Sequence, residues 1–152
     1  MGKNIVHERH QHTVANMAKT VSDLDLDDEH MTIGIDDSIA EASGRLLTMT
    51  GGILVVLDGD SKTKGVIGHR QFLKALSENV DAKSSKCSEW MEMDFIEVQL
   101  SDTVKSVLED VQKRAPQAVV AVDENGEFAG YFSPNDYQEA SSLVSSLKGL
   151  NL

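Results

Sequence analysis

Cysteine and proline are nearly absent from this chain. Cys87 is the one cysteine among 152 residues, so no disulfide can form within the chain. A lone cysteine without evident histidine and asparagine partners is more often a small buried apolar residue than a nucleophile. The two prolines, Pro116 and Pro134, and the lack of low-complexity tracts argue against long disordered stretches. We therefore expect one ordinary folded domain that needs no disulfide.

Long apolar runs are also absent, and positive charges are few. No run approaches the roughly 20 residues of a membrane-spanning helix, and no apolar signal core follows Met1. We therefore expect a cytoplasmic protein without membrane contact. Fourteen Lys and Arg stand against 25 Asp and Glu, a net charge of −11. This balance argues against direct nucleic-acid binding, which needs cations to replace counterions, but leaves room for one nucleotide held by local groups.

Catalytic and metal-binding patterns are missing as well. The sequence shows no nucleophile–base set, paired acids, Walker loop or metal quartet, so we expect neither an enzyme nor a metal site. His7, His10 and His12 lack further ligands at suitable spacing, and residues 1–20 are interpreted as an N-terminal helix or flexible segment. The acidic cluster from Asp23 to Glu29 begins like a calcium loop but lacks its glycine and its final glutamate, which favours a solvated loop.

What the sequence does contain is a repeat with a constant spacing of 65 residues. Gly65 and Gly130 are 65 positions apart, and so are Asp58 and Asp123. Further upstream, Val21–Leu24 corresponds to Cys87–Trp90 after a slip of one residue. Each copy reads as strand, helix, strand, strand, helix. One copy alone is too small to close a core comfortably.

The repeat predicts an α+β fold of two pseudo-symmetric β-α-β-β-α units, packed sheet to sheet with the helices outside. Continuous apolar runs predict strands covered on both faces, and helical spacing of apolar residues predicts the helices. The predicted strands are Thr32–Ile35, Ile53–Leu57, Gly65–Gly68, Ala118–Val122 and Phe128–Phe132, and the main helices are Ser38–Met49, His69–Leu76, Asp102–Lys113 and Pro134 to about Leu147. The expected units are residues 21–78 and 87–148, joined by a linker over 79–86 and followed by a tail over 149–152.

This order of elements resembles a tandem pair of cystathionine-β-synthase (CBS) domains, also called a Bateman module. The resemblance covers roughly Val21 to Ala140 and rests on three features together. Each copy has a leading segment, Val21–Leu24 in the first and Cys87–Met91 in the second. Each also has a central apolar strand that ends in Asp58 or Asp123, and a strand that begins with glycine before its last helix. Val55 and Val120 depart from the family, which usually has proline at these positions. The resemblance implies no catalysis.

The segment from Gly130 to Asp136 is the candidate ligand site. Ser133 is a good N-cap, Pro134 suits the first helical position, and Asp136 near the helix start can accept two hydrogen bonds, as a ribose diol requires. The simpler alternative is a cap and a first-turn charge without a ligand. The resemblance implies that Asp136 holds the ribose and that Ser133 contacts ribose or phosphate. The other implied contacts come from the Gly130 strand, from Pro134 and from the edge of the second sheet: Gly130, Tyr131, Phe132, Pro134, Phe95, Ile96 and Ala118.

The first copy departs from this signature. Gly68 replaces the hydroxyl residue, and Gln71 replaces the aspartate, so no carboxylate can clamp a diol there. His69 and Arg70 are basic, and from a shared cleft they could reach the phosphates of a ligand; a solvated first turn is the alternative. We therefore predict one nucleotide-competent site, in the second half.

Two functions fit these patterns. The first is a stand-alone regulatory module that binds an adenosine-containing ligand (AMP, ADP, ATP, NAD or S-adenosylmethionine) and signals to a partner protein, whose identity the sequence does not indicate. The second is a ligand-free module for dimerisation or protein interaction. The resemblance implies a homodimer, because CBS pairs commonly dimerise through their helices. The helical residues that could form this contact, or could instead belong to the core, are Leu46, Met49, Phe72, Leu76, Val111, Tyr137, Leu143 and Leu147.

Overall fold

The structure, a computed structural model, describes residues 19–27 and 29–150, with the side chains of these residues except 143 and 146–150. Residues 1–18 of the predicted N-terminal segment with its three histidines, Asp28 of the acidic cluster and the last two residues lie outside the described residues. The side chains of Leu143 and Leu147, two of the candidates for a dimer contact, lie outside them as well. Within the described part, no helix combines the length and the apolar character that crossing a membrane requires.

The elements follow the predicted order in both copies. The first copy contains a short 3₁₀ helix (Val21–Asp23), β1 (His30–Gly34), α1 (Ile39–Leu46), β2 (Ile53–Leu57), β3 (Thr63–Ile67) and α2 (His69–Ser77). The second copy contains α3 (Cys87–Trp90), β4 (Phe95–Gln99), α4 (Val104–Arg114), β5 (Ala118–Val122), β6 (Phe128–Phe132) and α5 (Pro134–Leu150). The predicted α+β fold of two β-α-β-β-α repeats is confirmed.

Each copy forms its own three-stranded sheet with the same topology. The strand orders are β1-β2-β3 and β4-β5-β6, with the first pair parallel and the second antiparallel in each sheet. The helices α1 and α4 begin where side chains cap them. The Ser38 side chain accepts a hydrogen bond from the Glu41 amide at 3.1 Å, and Thr103 accepts one from the Ser106 amide at 3.2 Å. The helix predicted from Asp102 therefore starts two residues later.

The core has three layers because the central strands alternate their side chains between two apolar surroundings. Leu54 and Val56 face the helices of the first copy, whereas Val55 faces the second sheet. The layer between the sheets joins residues of both copies: Val55, Val66, Ala118, Val120 and Tyr131. The two sheets therefore pack face to face. Of the predicted surface candidates, Leu46 is core at 4% exposure, whereas Leu76 is 74% exposed.

The leading segments of the two copies (residues 19–27 and 86–93) cross over to the opposite copy. Val21 is buried in the helix-side core of the second copy, and its amide donates to Asp102 O at 2.9 Å. Cys87 is buried in the corresponding core of the first copy, and its amide donates to Asp37 O at 2.8 Å. Burial, together with the nearby Asp37, raises the pKa of the Cys87 thiol to about 11. The exchange interlocks the copies, and the sequence repeat did not predict it.

The crossover explains why both copies have a glycine at the equivalent positions 65 and 130. A Cβ on Gly130 would lie 2.5 Å from Leu26 Cβ, and one on Gly65 would lie 2.6 Å from Met91 Cγ. Both neighbours belong to the leading segment of the other copy. The Leu26 carbonyl also accepts a hydrogen bond from the Tyr131 amide at 3.1 Å. These glycines therefore let a second backbone approach the strand closely.

Candidate functional site

A cleft of about 300 Å³ opens in the second copy, where β6 ends and α5 begins. The start of β5 forms one wall, and a turn of α4 closes the back. Its lining is largely apolar and consists of Val111, Pro116, Gln117, Ala118, Val119, Tyr131, Phe132, Ser133, Pro134, Tyr137 and Gln138. A concave apolar space with a few converging polar groups is the usual form of a small-molecule site.

The junction between β6 and α5 is held by Ser133 and Asp136. The Ser133 side chain, which is buried, donates to Asp136 Oδ2 at 3.0 Å and accepts from the Asp136 amide at 3.1 Å. The Ser133 amide also donates to Asp136 Oδ2, at 2.9 Å. This is a reciprocal helix cap. All the hydrogen bonds that the described residues show to this carboxylate end on Oδ2, so Oδ1 is the oxygen that can accept from a ligand.

A second cavity of about 310 Å³ adjoins the cleft and shares Tyr131 and Pro134 with it. Its other lining residues are Glu29, Gly52, Ile53 and Asn135. The Asn135 side-chain amide donates to Glu29 Oε1 and links the first copy to the start of α5. Burial, and then the negative charges of Glu29 and Asp136, raise the pKa of Tyr131 to about 12. Tyr131 therefore stays neutral at physiological pH.

The structure brings only some of the predicted ligand residues together. Five line the cleft: Ala118, Tyr131, Phe132, Ser133 and Pro134. Asp136 is hydrogen-bonded to one of them. Phe95 pairs with Ala118 in the β4–β5 register and belongs to the layer between the sheets.

Six of the eleven predicted residues line neither of these two cavities, namely Asp136, Phe95 and four others. Gly130 packs against Leu26, and Ile96 is core at 6% exposure. His69 and Arg70 are exposed in the first turn of α2.

Several lining residues were not predicted from the sequence. Tyr137 follows Ser133 by one helical turn, and that spacing alone could have placed it above the cap. Pro116 and Gln117 immediately precede β5, at the edge that carries Ala118. Glu29 immediately precedes β1 of the first copy, and no sequence pattern connects it with the start of α5.

The corresponding place in the first copy carries a larger side chain. Ile53 stands where the second copy has Ala118, and its Cγ2 lies 3.7 Å from the position of a Cβ on Gly68. Gln71 keeps the cap, since its Oε1 accepts from the Gly68 amide at 2.7 Å. The cap is thus common to both copies, whereas the small side chain of Ala118 and the carboxylate of Asp136 belong to the second copy.

The described residues contain no group of three or more His, Cys, Asp or Glu placed to hold a metal ion.

Comparisons with known proteins agree with this architecture. Residues 21–78 match a family model described as CBS domain. A CBS-domain containing protein from Agrobacterium tumefaciens is 27% identical, with a TM-score of 0.60 over 80% of this chain and 98% of that one. A CBS domain pair/ACT domain protein from Thermotoga maritima is 18% identical, with a TM-score of 0.64 over 84% and 98%. A hypothetical conserved protein from Geobacillus kaustophilus is 19% identical, with a TM-score of 0.66 over 81% and 96%.

A comparison with curated proteins finds no match. The family match lies in the first copy, and the structural likenesses extend over both. Residues 21–78 therefore match the CBS-domain family, and the chain has the fold of a tandem CBS-domain pair.

Proposed function

We propose that this chain is a regulatory module that binds an adenosine-containing ligand in the cleft of its second copy. AMP, ADP, ATP, NAD and S-adenosylmethionine are the candidate ligands. The observation that carries the proposal is an apolar cleft of about 300 Å³ whose lining includes Ser133, the residue that is hydrogen-bonded to the Asp136 carboxylate. The first copy lacks this combination, because Ile53 and Gln71 replace Ala118 and Asp136 at the equivalent positions.

Each part of the site has a role in this proposal. The base packs between Ala118 and the Tyr131 side of the cleft, and the ribose hydroxyls donate to Asp136 Oδ1. Ser133 holds Oδ2 of the same carboxylate, so the side chain is already oriented before a ligand arrives. Such pre-orientation lowers the entropic cost of binding.

Ligand binding would change the outer surface of the protein through the position of Tyr137. This half-buried side chain lines the cleft on one side. On the other side it lines a small groove between α4 and α5, together with Glu109 and Ser141. A ligand that favours one position of Tyr137 would change that groove and so the affinity for a partner protein or a second copy. The homodimer, the regulated partner and a cytoplasmic location are parts of this proposal.

A second candidate function is a ligand-free interaction module. Leucines on the helices of the first copy favour it: Leu73 and Leu76 on α2 are 66% and 74% exposed, and Leu47 at the end of α1 is 83% exposed. Exposed apolar side chains of this size are typical of contact surfaces. In this case Ser133 and Asp136 serve only as a helix cap.

Calorimetric titration of the five ligands into the wild type and into Asp136→Gln separates the two functions. Gln71 shows that glutamine supports the same cap, so the variant should stay folded while it loses the charged acceptor. The adenosine proposal expects binding to the wild type and affinity at least roughly tenfold weaker in the variant, because a hydrogen bond to a charged group is lost. If no adenosine compound binds the wild type, the interaction module stands.

A further inference from the structure

The charges around the cleft distinguish between the candidate ligands. The lining of the first cavity contains no Lys, Arg, His, Asp or Glu. Glu29 is the single charged residue that lines the adjoining cavity. Asp136 lines neither cavity, but its carboxylate is hydrogen-bonded to Ser133, which lines the first. Within the described part of the chain, the charged side chains that line these cavities or bond to their lining in this way are therefore carboxylates.

Glu29 is held firmly in this place. Its side chain accepts a hydrogen bond from Asn135, and its backbone carbonyl accepts one from the Ile53 amide at 3.1 Å. The two cavities share Tyr131 and Pro134, so a substituent that extends from a base and ribose in the first cavity towards the second lies beside Glu29. Burial is the main cause of the raised pKa of Tyr131, and the negative charges of Glu29 and Asp136 add to it.

The start of α5 offers few backbone amides that could bind a phosphate and offset the repulsion by these carboxylates. A helix N-terminus binds anions through amide groups that lack partners. Here the Ser133 amide donates to Asp136 Oδ2, the Asp136 amide donates to Ser133 Oγ, and Pro134 has no amide hydrogen. Of the four backbone nitrogens from Ser133 to Asp136, only that of Asn135 is therefore left to donate to a phosphate. The helix start is thus largely satisfied by its own side chains.

The basic residues predicted to reach phosphates belong to the other half of the molecule. His69 and Arg70 are exposed at the start of α2 and line neither cavity. By the spacing of 65 residues, their counterparts in the second copy are Pro134 and Asn135. The second copy, which forms the cleft, therefore lacks the basic pair. The first copy, which has the basic pair, lacks the small residue and the aspartate of the cleft.

We infer that this cleft selects adenosine compounds whose remaining substituent is neutral or positively charged, such as a thioether or a sulfonium, and discriminates against those that carry phosphates. The inference rests on the proposed adenosine site and narrows its ligand class. The volume agrees with it: about 300 Å³ is at the small end for ligand cavities, so a base and ribose leave little room in this cleft for a phosphate chain.

Four probes test the inference by calorimetric titration: S-adenosylmethionine, 5′-methylthioadenosine, AMP and ATP. Each phosphate charge held several ångströms from a half-exposed carboxylate weakens binding by roughly tenfold. The expected order of affinity is therefore S-adenosylmethionine and methylthioadenosine first, AMP at least tenfold weaker, and ATP weaker still. Raising the salt concentration should reduce the difference in affinity between methylthioadenosine and the two nucleotides, because salt screens the repulsion between phosphates and carboxylates.

Two variants change the charge at the second cavity. Glu29→Gln keeps the size of the side chain and its acceptor for Asn135, and should raise the affinity for AMP relative to methylthioadenosine about tenfold. Asn135→Arg introduces the residue found at the equivalent position of the first copy and should raise the same ratio further. Glu124→Gln is the matched control, because this exposed glutamate in the β5–β6 turn lines neither cavity.

The outcomes are distinct. The expected order of affinity, with ratios that respond to Glu29→Gln and Asn135→Arg but not to Glu124→Gln, supports the inference. Tighter binding of AMP or ATP than of methylthioadenosine overturns the inference and leaves the adenosine site in place. An affinity for AMP relative to methylthioadenosine that is the same in Glu29→Gln as in the wild type also overturns the inference, because Glu29 is then not the discriminating charge. Absence of binding by all four probes overturns the inference and the proposed function together.

Discussion

Replacing Ala118 with isoleucine should close the cleft while the protein stays folded. Ala118 lines the cleft at the edge of β5, and the first copy already carries isoleucine at the equivalent position, Ile53. There the Cγ2 atom lies 3.7 Å from the Cβ position of Gly68, which is ordinary van der Waals contact. Since Ser133 takes the place of Gly68 in the second copy, an isoleucine at 118 meets the Ser133 Cβ at a similar distance.

The expected change in stability is small because two effects oppose each other. Three added carbon atoms contribute up to about 2.4 kcal/mol if all become buried. Adjustment of a packed neighbourhood costs about 1–3 kcal/mol. The free energy of unfolding should therefore change by no more than about 1 kcal/mol in either direction. Ligand affinity should fall by at least about a hundredfold, roughly 3 kcal/mol, because the new side chain occupies the space of the base.

Urea unfolding and calorimetric titration with methylthioadenosine check both parts. Ala129→Ile is the control, since this half-buried alanine on β6 lines neither cavity and its enlargement should leave ligand affinity as it is in the wild type. Affinity within a factor of three of the wild type in Ala118→Ile would refute the placement of the base. A loss of stability above about 4 kcal/mol would refute the claim that space exists beside Ala118.

Three further predictions concern stability and are checked by urea unfolding. Ser61→Gly should add about 0.5 kcal/mol, because Ser61 adopts a left-handed φ of 62° where the second copy has Gly126; a loss would show that the turn is not strained. Thr63→Val should add about 1 kcal/mol, because the Thr63 hydroxyl is buried without a hydrogen-bond partner in the described structure; a loss of similar size would reveal a hidden partner. Gly130→Ala should cost about 1–3 kcal/mol, since the new methyl meets Leu26 at 2.5 Å; unchanged stability would contradict the crossover.

The strands and their pairing could be predicted from the sequence because local patterns determine them. The apolar runs Ile53–Leu57 and Ala118–Val122 have the same bounds in the structure as in the prediction. β1 begins two residues earlier than predicted, at His30. Its ring stacks edge to face on Phe128, with centroids 5.3 Å apart, and this tertiary contact extends the strand beyond its local pattern.

The crossover of the leading segments could not be predicted in this way. The pattern of Val21–Leu24 indicates a buried segment but not which core receives it, and both helix-side cores present similar apolar surfaces. The same limit applies to the site. Ser133 and Asp136 follow from their spacing, whereas Glu29 reaches the second cavity only because the first copy packs against the start of α5.

The central claim is that the second copy holds an adenosine compound between Ala118 and the Ser133–Asp136 junction. A crystal structure of the protein grown with saturating methylthioadenosine tests it most directly. The account predicts density for the base against Ala118 and Tyr131, with both ribose hydroxyls within hydrogen-bonding distance of the Asp136 carboxylate. An empty cleft under those conditions, or the compound bound at Gly68 and Gln71 in the first copy, would contradict it.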